Sequence, residues 1–244
     1  MAINTILFDC DNTLVLSEEL AFEGCADLLN EICATKGVSP APNFTGPSLI
    51  TEFVGQNFRG MLSSLQKRYG FPLTDEETND YVLREEVVVI AKLKEALKPC
   101  VGVEPQLEAL NKDGKHLLAV VSSSALRRVK ASIEKVSFDR FFASDHVYSA
   151  ATSLPVPTSK PDPAIYLYAM KELGKQASEC VAVEDSRSGT LSATRAEIRT
   201  IGYVGPYPED KRAEMEKVLR DAGATVIMQH WDEFPAKLAE ISKQ

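Results

Sequence analysis

The sequence has few of the features that would send a chain to a membrane, a secretory route or a nucleic acid. No apolar run approaches the length of a bilayer span, and Met1 to Phe8 carries neither a basic segment nor a hydrophobic stretch of signal-peptide length. Cysteine is scarce and unpatterned. Cys10, Cys25, Cys33, Cys100 and Cys180 are odd in number and show no C-x-x-C spacing, which argues against a disulfide framework and against a zinc site. Positive charge is in deficit: 27 Lys and Arg against 35 Asp and Glu leave a net charge of −8, with no long basic run to neutralise a polyphosphate backbone. The three histidines, His116, His146 and His230, lie outside the polar clusters described below and receive no role. Together these absences predict a complete, cytoplasmic chain with neither nucleic acid nor membrane as partner.

What remains is an ordinary globular composition. With 244 residues, 44% hydrophobic and 25% charged, the chain can bury one sizeable core and a smaller companion. Ile3 to Phe8 is a short apolar, β-branched stretch that ends in the polar cluster Asp9 to Thr13, the pattern of a buried strand followed by a functional loop. From Ser17 to Lys98 strand signals are missing. Helical patterns cover Glu19 to Thr35, Ser48 to Tyr69 and Asp75 to Leu97. Cys25 and Cys33, on the first of these, are read as core-facing.

After Pro99 the pattern changes to alternation. Helices are expected over Val103 to Lys112, Ala125 to Lys135, Pro163 to Leu173, Gly189 to Ala196 and Glu209 to Ala222, with a last one from Asp232. Strands are expected over Leu117 to Val121, near Phe141, and over Cys180 to Val183, Arg199 to Val204 and Thr225 to Met228. Continuous apolar strands alternating with amphipathic helices imply an α/β fold with a parallel sheet covered on both faces. The expected organisation is a Rossmann-like core over residues 1–16 and 99–244, interrupted by a helical insertion over 17–98. Inserted directly after the first strand's loop, that segment is expected over the strand's C-terminal end, where open parallel sheets bind ligands.

Polar groups gather at those strand ends. Asp9 and Asp11 follow the first strand, Ser122 to Ser124 the second, and Glu184 with Asp185 the Cys180 stretch; Lys160 stands in a loop before a helix. Charges emerging straight from apolar strands are costly unless paired or metal-bound. Asp9-Cys10-Asp11-Asn12-Thr13, then Ser122, then Lys160-Pro161, then Glu184-Asp185 resemble, in order, the four motifs of the haloacid dehalogenase superfamily. The resemblance covers nearly the whole chain. The insertion is similar to that superfamily's C1 cap, and the chain most resembles its sugar-phosphate phosphatase and β-phosphoglucomutase branch.

The resemblance implies a phosphotransferase that forms an aspartyl phosphate on Asp9, with Asp11 as acid for the leaving group and then base for water. An anionic phosphate ester repels nucleophiles, so its attack needs a cation, a positioned nucleophile and a proton donor. By the same resemblance Ser122 and Lys160 contact the transferring phosphoryl group, Ser123 touches the substrate, and Asp9, Asp11, Glu184 and Asp185 hold Mg2+, a hard cation suited to oxygen ligands. Several assignments stay open on the residues alone: any of Ser122, Ser123 and Ser124 could cap the next helix, Lys160 could be a solvated loop lysine, and Glu184 could pair with Arg187. In the insertion, Gly55-Gln56-Asn57-Phe58-Arg59 resembles a specificity loop, making Gln56, Asn57 and Arg59 candidate substrate contacts, or else an ordinary helix start. Two positions depart from the superfamily's pattern: Ser17, where many relatives are acidic, and Arg195-Ala196-Glu197-Ile198, in place of Ala-Gly.

The expected function is therefore a Mg2+-dependent phosphatase of a small phosphate ester, a sugar or polyol phosphate. A hexose-phosphate mutase is the alternative among enzymes, with Arg59 or Lys67 as its basic cap residue, and a non-catalytic phospho-ligand binder is the alternative outside them. An enzyme of phosphorylated lipids is left open by Phe53 and Phe58.

Overall fold

A computed structural model describes residues 2–53 and 56–243. The chain divides into two compact units, one of Met1–Leu16 with Lys98–Gln244, the other of Ser17–Leu97. In the first unit β1 (Thr5–Phe8), β2 (Leu117–Ser122), β3 (Val147–Ser149), β4 (Cys180–Glu184), β5 (Arg199–Tyr203) and β6 (Val226–Met228) form one parallel sheet in the order β3-β2-β1-β4-β5-β6. This is the α/β arrangement that the alternating pattern implies. β1 and β4 are buried along their whole length, as strands covered on both faces must be.

The chain order reverses at β1, which lies between β2 and β4 with Thr5 opposite both Leu117 and Cys180. Such a switch point is where a doubly wound sheet opens a crevice at its strand C-termini. Helices α5 (Val103–Asp113), α6 (Leu126–Lys135), α7 (Ala164–Leu173), α8 (Arg187–Arg195), α9 (Glu209–Asp221) and α10 (Phe234–Ile241), numbered after the four of the helical unit, connect or follow the strands. On one side Leu7, Ala119, Val121, Ala182, Ile165, Tyr166, Ala169 and Ala193 make a continuous core. Elsewhere Phe8 packs among Phe142, Trp231 and Phe234, with ring centroids 6.0 to 6.2 Å apart. Each fully buried side chain of this size contributes about 1.5–3 kcal/mol of apolar transfer.

One expectation is corrected and another is made finer. No strand forms near Phe141: Phe138, Phe141 and Phe142 are buried, but their backbone runs through tight turns, with Phe141 N–H bonded to Phe138 O at 2.9 Å. The aromatics there fill the core without joining the ladder, and the edge strand begins at Val147. The helical pattern expected over Ser48 to Tyr69 resolves into two helices, α2 (Gly46–Glu52) and α3 (Phe58–Tyr69), with Asn57, one of the residues of the possible helix start, as the cap of the second. Each has its own start signal: Thr45 with Ser48 forms a capping box for α2, and Asn57 accepts the Gly60 N–H at 2.9 Å for α3. Gly55 lies outside the described residues.

The helical unit also contains α1 (Glu18–Thr35) and α4 (Asp75–Ala96), which pack on each other. Gly24 makes that approach close, since a Cβ there would stand 3.3 Å from Val89 Cγ2. Among the described residues no helix is long and apolar enough to cross a membrane. Lys98 falls with the α/β unit, where its carbonyl accepts the Leu16 N–H at 2.9 Å.

α4 starts at a reciprocal cap. Thr74 Oγ1 accepts the Glu77 N–H at 3.1 Å, and Glu77 Oε2 accepts the Thr74 N–H at 2.8 Å. Thr74→Ala is expected to lower stability by about 1 kcal/mol, read as an earlier urea midpoint of the helical unit's transition; an unmoved midpoint would show the cap to be dispensable.

Candidate active site

The site grows from the end of β1. Its ladder with β4 continues one residue past the strand, Asp9 N–H donating to Val183 O at 3.0 Å. The backbone then folds back at once: Cys10 O accepts the Leu14 N–H at 3.0 Å, and Asn12 adopts a left-handed φ of 58°, a conformation that asparagine tolerates better than most residues. Asp9 and Asp11 are thereby held in a short, tight loop at the sheet's C-terminal edge.

β4 ends beside it with Glu184 and Asp185. Because Phe8 is opposite Val183, Asp9 and Glu184 follow as neighbours. Lys160 enters from the segment after β3 and satisfies both: its Nζ lies 2.6 Å from Asp9 Oδ1, 2.6 Å from Glu184 Oε1 and 2.8 Å from Val121 O. All three donors of the ammonium are used. The surroundings exclude water, with Asp9 6%, Lys160 8%, Glu184 0% and Asp185 5% exposed.

Burial raises the Asp9 carboxyl above its usual range; Lys160 draws it back, and the charge of Asp11 adds to the rise. Burial likewise pushes Glu184 up to about 7 against the pull of Lys160. Burial works against the charge on Lys160 too, but Asp9 and Glu184 outweigh it, so the ammonium is held above its ordinary value. Lys160 is accordingly a fixed cation.

Asp9, Glu184 and Asp185 offer carboxylate oxygens within 4.8 Å of one another. Two of these buried carboxylates, Asp9 and Glu184, share one ammonium, and Glu184 Oε2 is buried with no hydrogen-bond partner. An orphaned buried oxygen within an all-oxygen donor set is what a divalent cation satisfies, so these residues fit a metal ion.

Asp11 does not join that acidic group. Its Oδ2 accepts from Ser124 Oγ at 2.7 Å and from Ser122 Oγ at 3.4 Å, and its Oδ1 is 3.5 Å from Arg128 Nη2. Ser122 is fully buried and its Oγ accepts the Ser124 N–H, while Ser123 Oγ accepts the Lys160 N–H at 3.1 Å. The three serines therefore knit the β2–α6 turn to Asp11 and to the Lys160 segment. None of them supplies the cap seen at α6, whose Leu126 N–H is bonded by Thr152 Oγ1 at 3.0 Å. Among the other sequence candidates, Asn57 caps α3, Gln56 Oε1 accepts from Ser64 Oγ at 2.9 Å, and Arg59 Nη2 donates to Asn79 Oδ1 at 2.6 Å. Those bonds are made inside the helical unit.

Sequence alone gives no role to Thr13, Arg128 and Tyr166, and to Ser124 only that of a possible helix cap. Thr13 Oγ1 donates to Asp185 Oδ1 at 3.4 Å, Ser124 and Arg128 engage Asp11, and the Tyr166 phenol donates to Glu184 Oε1. Ser124 lies in the turn before α6 and Arg128 in its first turn, so no helical spacing links the two in the sequence. Tyr166 has no signal either, since a tyrosine at a core-facing position of α7 reads as packing.

A family model described as haloacid dehalogenase-like hydrolase matches residues 3–197. YhcW of Bacillus subtilis (strain 168) is 32% identical over 200 residues, covering 82% of each chain. The 6-phosphogluconate phosphatase of Escherichia coli (strain K12) is 24% identical over 230 residues, covering 94% of this chain and 95% of that one. A match of 27% identity to the chloroplastic protein SUPPRESSOR OF QUENCHING 1 of Arabidopsis thaliana takes in 92% of this chain but 19% of that protein's length. Among solved structures, a conserved haloacid dehalogenase-like protein of Agrobacterium tumefaciens str. C58 superposes with a TM-score of 0.73 at 27% identity, over 98% of this chain and 99% of that one.

Gly189 gives the arrangement its sharpest steric condition. A Cβ at this position of α8 would lie 1.7 Å from Glu184 Oε2. Gly189→Ala is therefore expected to displace the Glu184 carboxylate and to abolish turnover in a chain whose circular dichroism stays native; full activity in that variant would refute the close approach.

Proposed function

The chain belongs to the haloacid dehalogenase-like hydrolases, and we propose that it is a magnesium-dependent phosphatase of a small phosphorylated metabolite, a sugar or polyol phosphate, acting through an aspartyl phosphate on Asp9. The observation that carries this reading is the placement of Asp9, a buried carboxylate at a strand end with Lys160 at 2.6 Å and two further carboxylates beside it. Nucleophile, fixed cation and a second acid, Asp11, stand on one edge of one unit. The preference for sugar or polyol phosphates rests on the resemblance to the 6-phosphogluconate phosphatase.

In the proposed reaction an Asp9 oxygen attacks phosphorus, forming the acyl-phosphate bond as the ester P–O bond breaks. Asp11 gives its proton to the departing alcohol. Water then attacks the phosphoryl group, Asp11 takes the proton from it, and the acyl-phosphate bond breaks to return the Asp9 carboxylate and inorganic phosphate. Lys160 keeps Asp9 oriented and offsets its charge as the phosphate anion approaches. Asp9, Glu184 and Asp185 would hold magnesium, which when bound supplies positive charge against the anionic ester. Ser122 and Ser123 are candidate donors to the phosphoryl oxygens, and the helical unit carries the candidate specificity residues Gln56, Asn57 and Arg59.

Phosphate release from sugar, polyol and nucleotide monophosphates, with magnesium or with a chelator, tests this directly. Release from the sugar or polyol group that stops on chelation is expected. Silence across the panel would overturn the phosphatase reading, and isomerisation that needs a hexose bisphosphate would assign the chain to the mutases. Asp9→Asn is expected to remove activity from a folded chain. Asp11→Asn should lower turnover of an alkyl phosphate by about 10²–10⁴-fold while leaving a rapid stoichiometric burst of p-nitrophenol from p-nitrophenyl phosphate, whose leaving group needs no proton, before a slow steady state in which the base for water is missing; a burst slowed as much as alkyl phosphate turnover would remove Asp11 from the acid role.

A further inference from the structure

We propose that Tyr166 is a positioning residue of this site: its phenol fixes the Glu184 carboxylate, and through Glu184 the ammonium of Lys160, in register with Asp9. The proposal rests on the phosphatase reading for its rate consequences and on geometry for its substance. Lys160 and Tyr166 leave the same short segment, which enters α7 after Ala164 N–H bonds Asp162 Oδ1 at 2.9 Å. Both converge on one atom, Glu184 Oε1. The opposite oxygen of Glu184 has no hydrogen-bond partner and lies against Gly189. The orientation of this carboxylate is thus set by two donors, and Tyr166 is one of them.

The ring acts as well as the hydroxyl. Lys160 Nζ lies 5.3 Å from the Tyr166 ring centroid, within the range of a cation–π contact. Tyr166 is fully buried in the core with Ile165, Ala169 and Ala182, so neither group has room to wander. It touches none of the reacting atoms. What it controls is which way Glu184 faces, and hence where the shared ammonium stands relative to the nucleophile.

Tyr166→Phe keeps the ring and removes the hydroxyl. Partners that orient a metal site typically change activity or metal affinity by about 10–100-fold. The expected result is a fall of that order in kcat with KM unchanged. The magnesium concentration at half-maximal thermal stabilisation should rise, while the melting temperature without metal stays close to the parent's. Tyr168→Phe, on the same helix with its ring edge-on to Tyr148, should leave all four as they are.

Unchanged kcat and unchanged magnesium midpoint in Tyr166→Phe would overturn the proposal. Collapse of the fold in Tyr166→Phe would overturn it too, by making the hydroxyl a structural group. If the parent chain releases no phosphate from any ester, the phosphatase reading fails, and the magnesium midpoint still decides the part played by Tyr166.

Discussion

One ammonium group, buried between Asp9 and Glu184 with 2.6 Å to each, is the constraint around which the α/β unit is arranged. Taking three charges out of water costs several kcal/mol per ion, which their mutual attraction offsets only when geometry is good and the remaining donors are satisfied. Here the geometry is supplied by the sheet. β1 and β4 are paired in parallel, so their ends deliver Asp9 and Glu184 side by side, and the carbonyl of Val121 on β2 takes the third proton of Lys160. Removing the lysine would leave two carboxylates unpaired, a change of about 3–5 kcal/mol. Such a cluster contributes little to net stability, and its persistence in the core is the strongest physical sign that the site is built for chemistry.

The two aspartates of the first loop live in different surroundings. Asp9 is dry and faces a fixed cation, whereas the Asp11 side chain is 27% exposed and is held by hydroxyls and one guanidinium. Pairs of carboxyl groups set apart by environment are how one site runs both nucleophilic and acid–base steps. The proposed division of labour between Asp9 and Asp11 thus has a basis in what surrounds each, beyond their spacing in the sequence.

Much of the fold was legible in the sequence because strands buried on both faces announce themselves: Thr5–Phe8 and Cys180–Glu184 are continuous apolar runs ending in charge. The same logic fails where apolar residues fill space without pairing, as at Phe141. Where one polar residue restarts a helix inside an amphipathic stretch, as Asn57 does, the same logic leaves a helix start and a binding loop alike in sequence. In the site, Asp9, Glu184 and Asp185 stood out because charge at a strand end is conspicuous, whereas Lys160, in a loop, was marked only by its place in the order of the motifs. Tyr166, Ser124 and Arg128 did not stand out, since their part depends on where a side chain ends in three dimensions, and neither hydropathy nor spacing encodes that.

The central position of β1 bears on how the molecule is made. The strand that ends at Asp9 is synthesised before its sheet partners, Leu117–Ser122 and Cys180–Glu184, with the helical unit intervening. These are high-contact-order pairings, whose loop-closure entropy is met before any ladder forms. Until β4 leaves the ribosome, β1 can have at most one neighbour and Asp9 has no Glu184 beside it. Assembly of the catalytic edge is consequently a late event in biosynthesis, and during the interval before it an apolar strand is exposed to the hazards of unpaired edges.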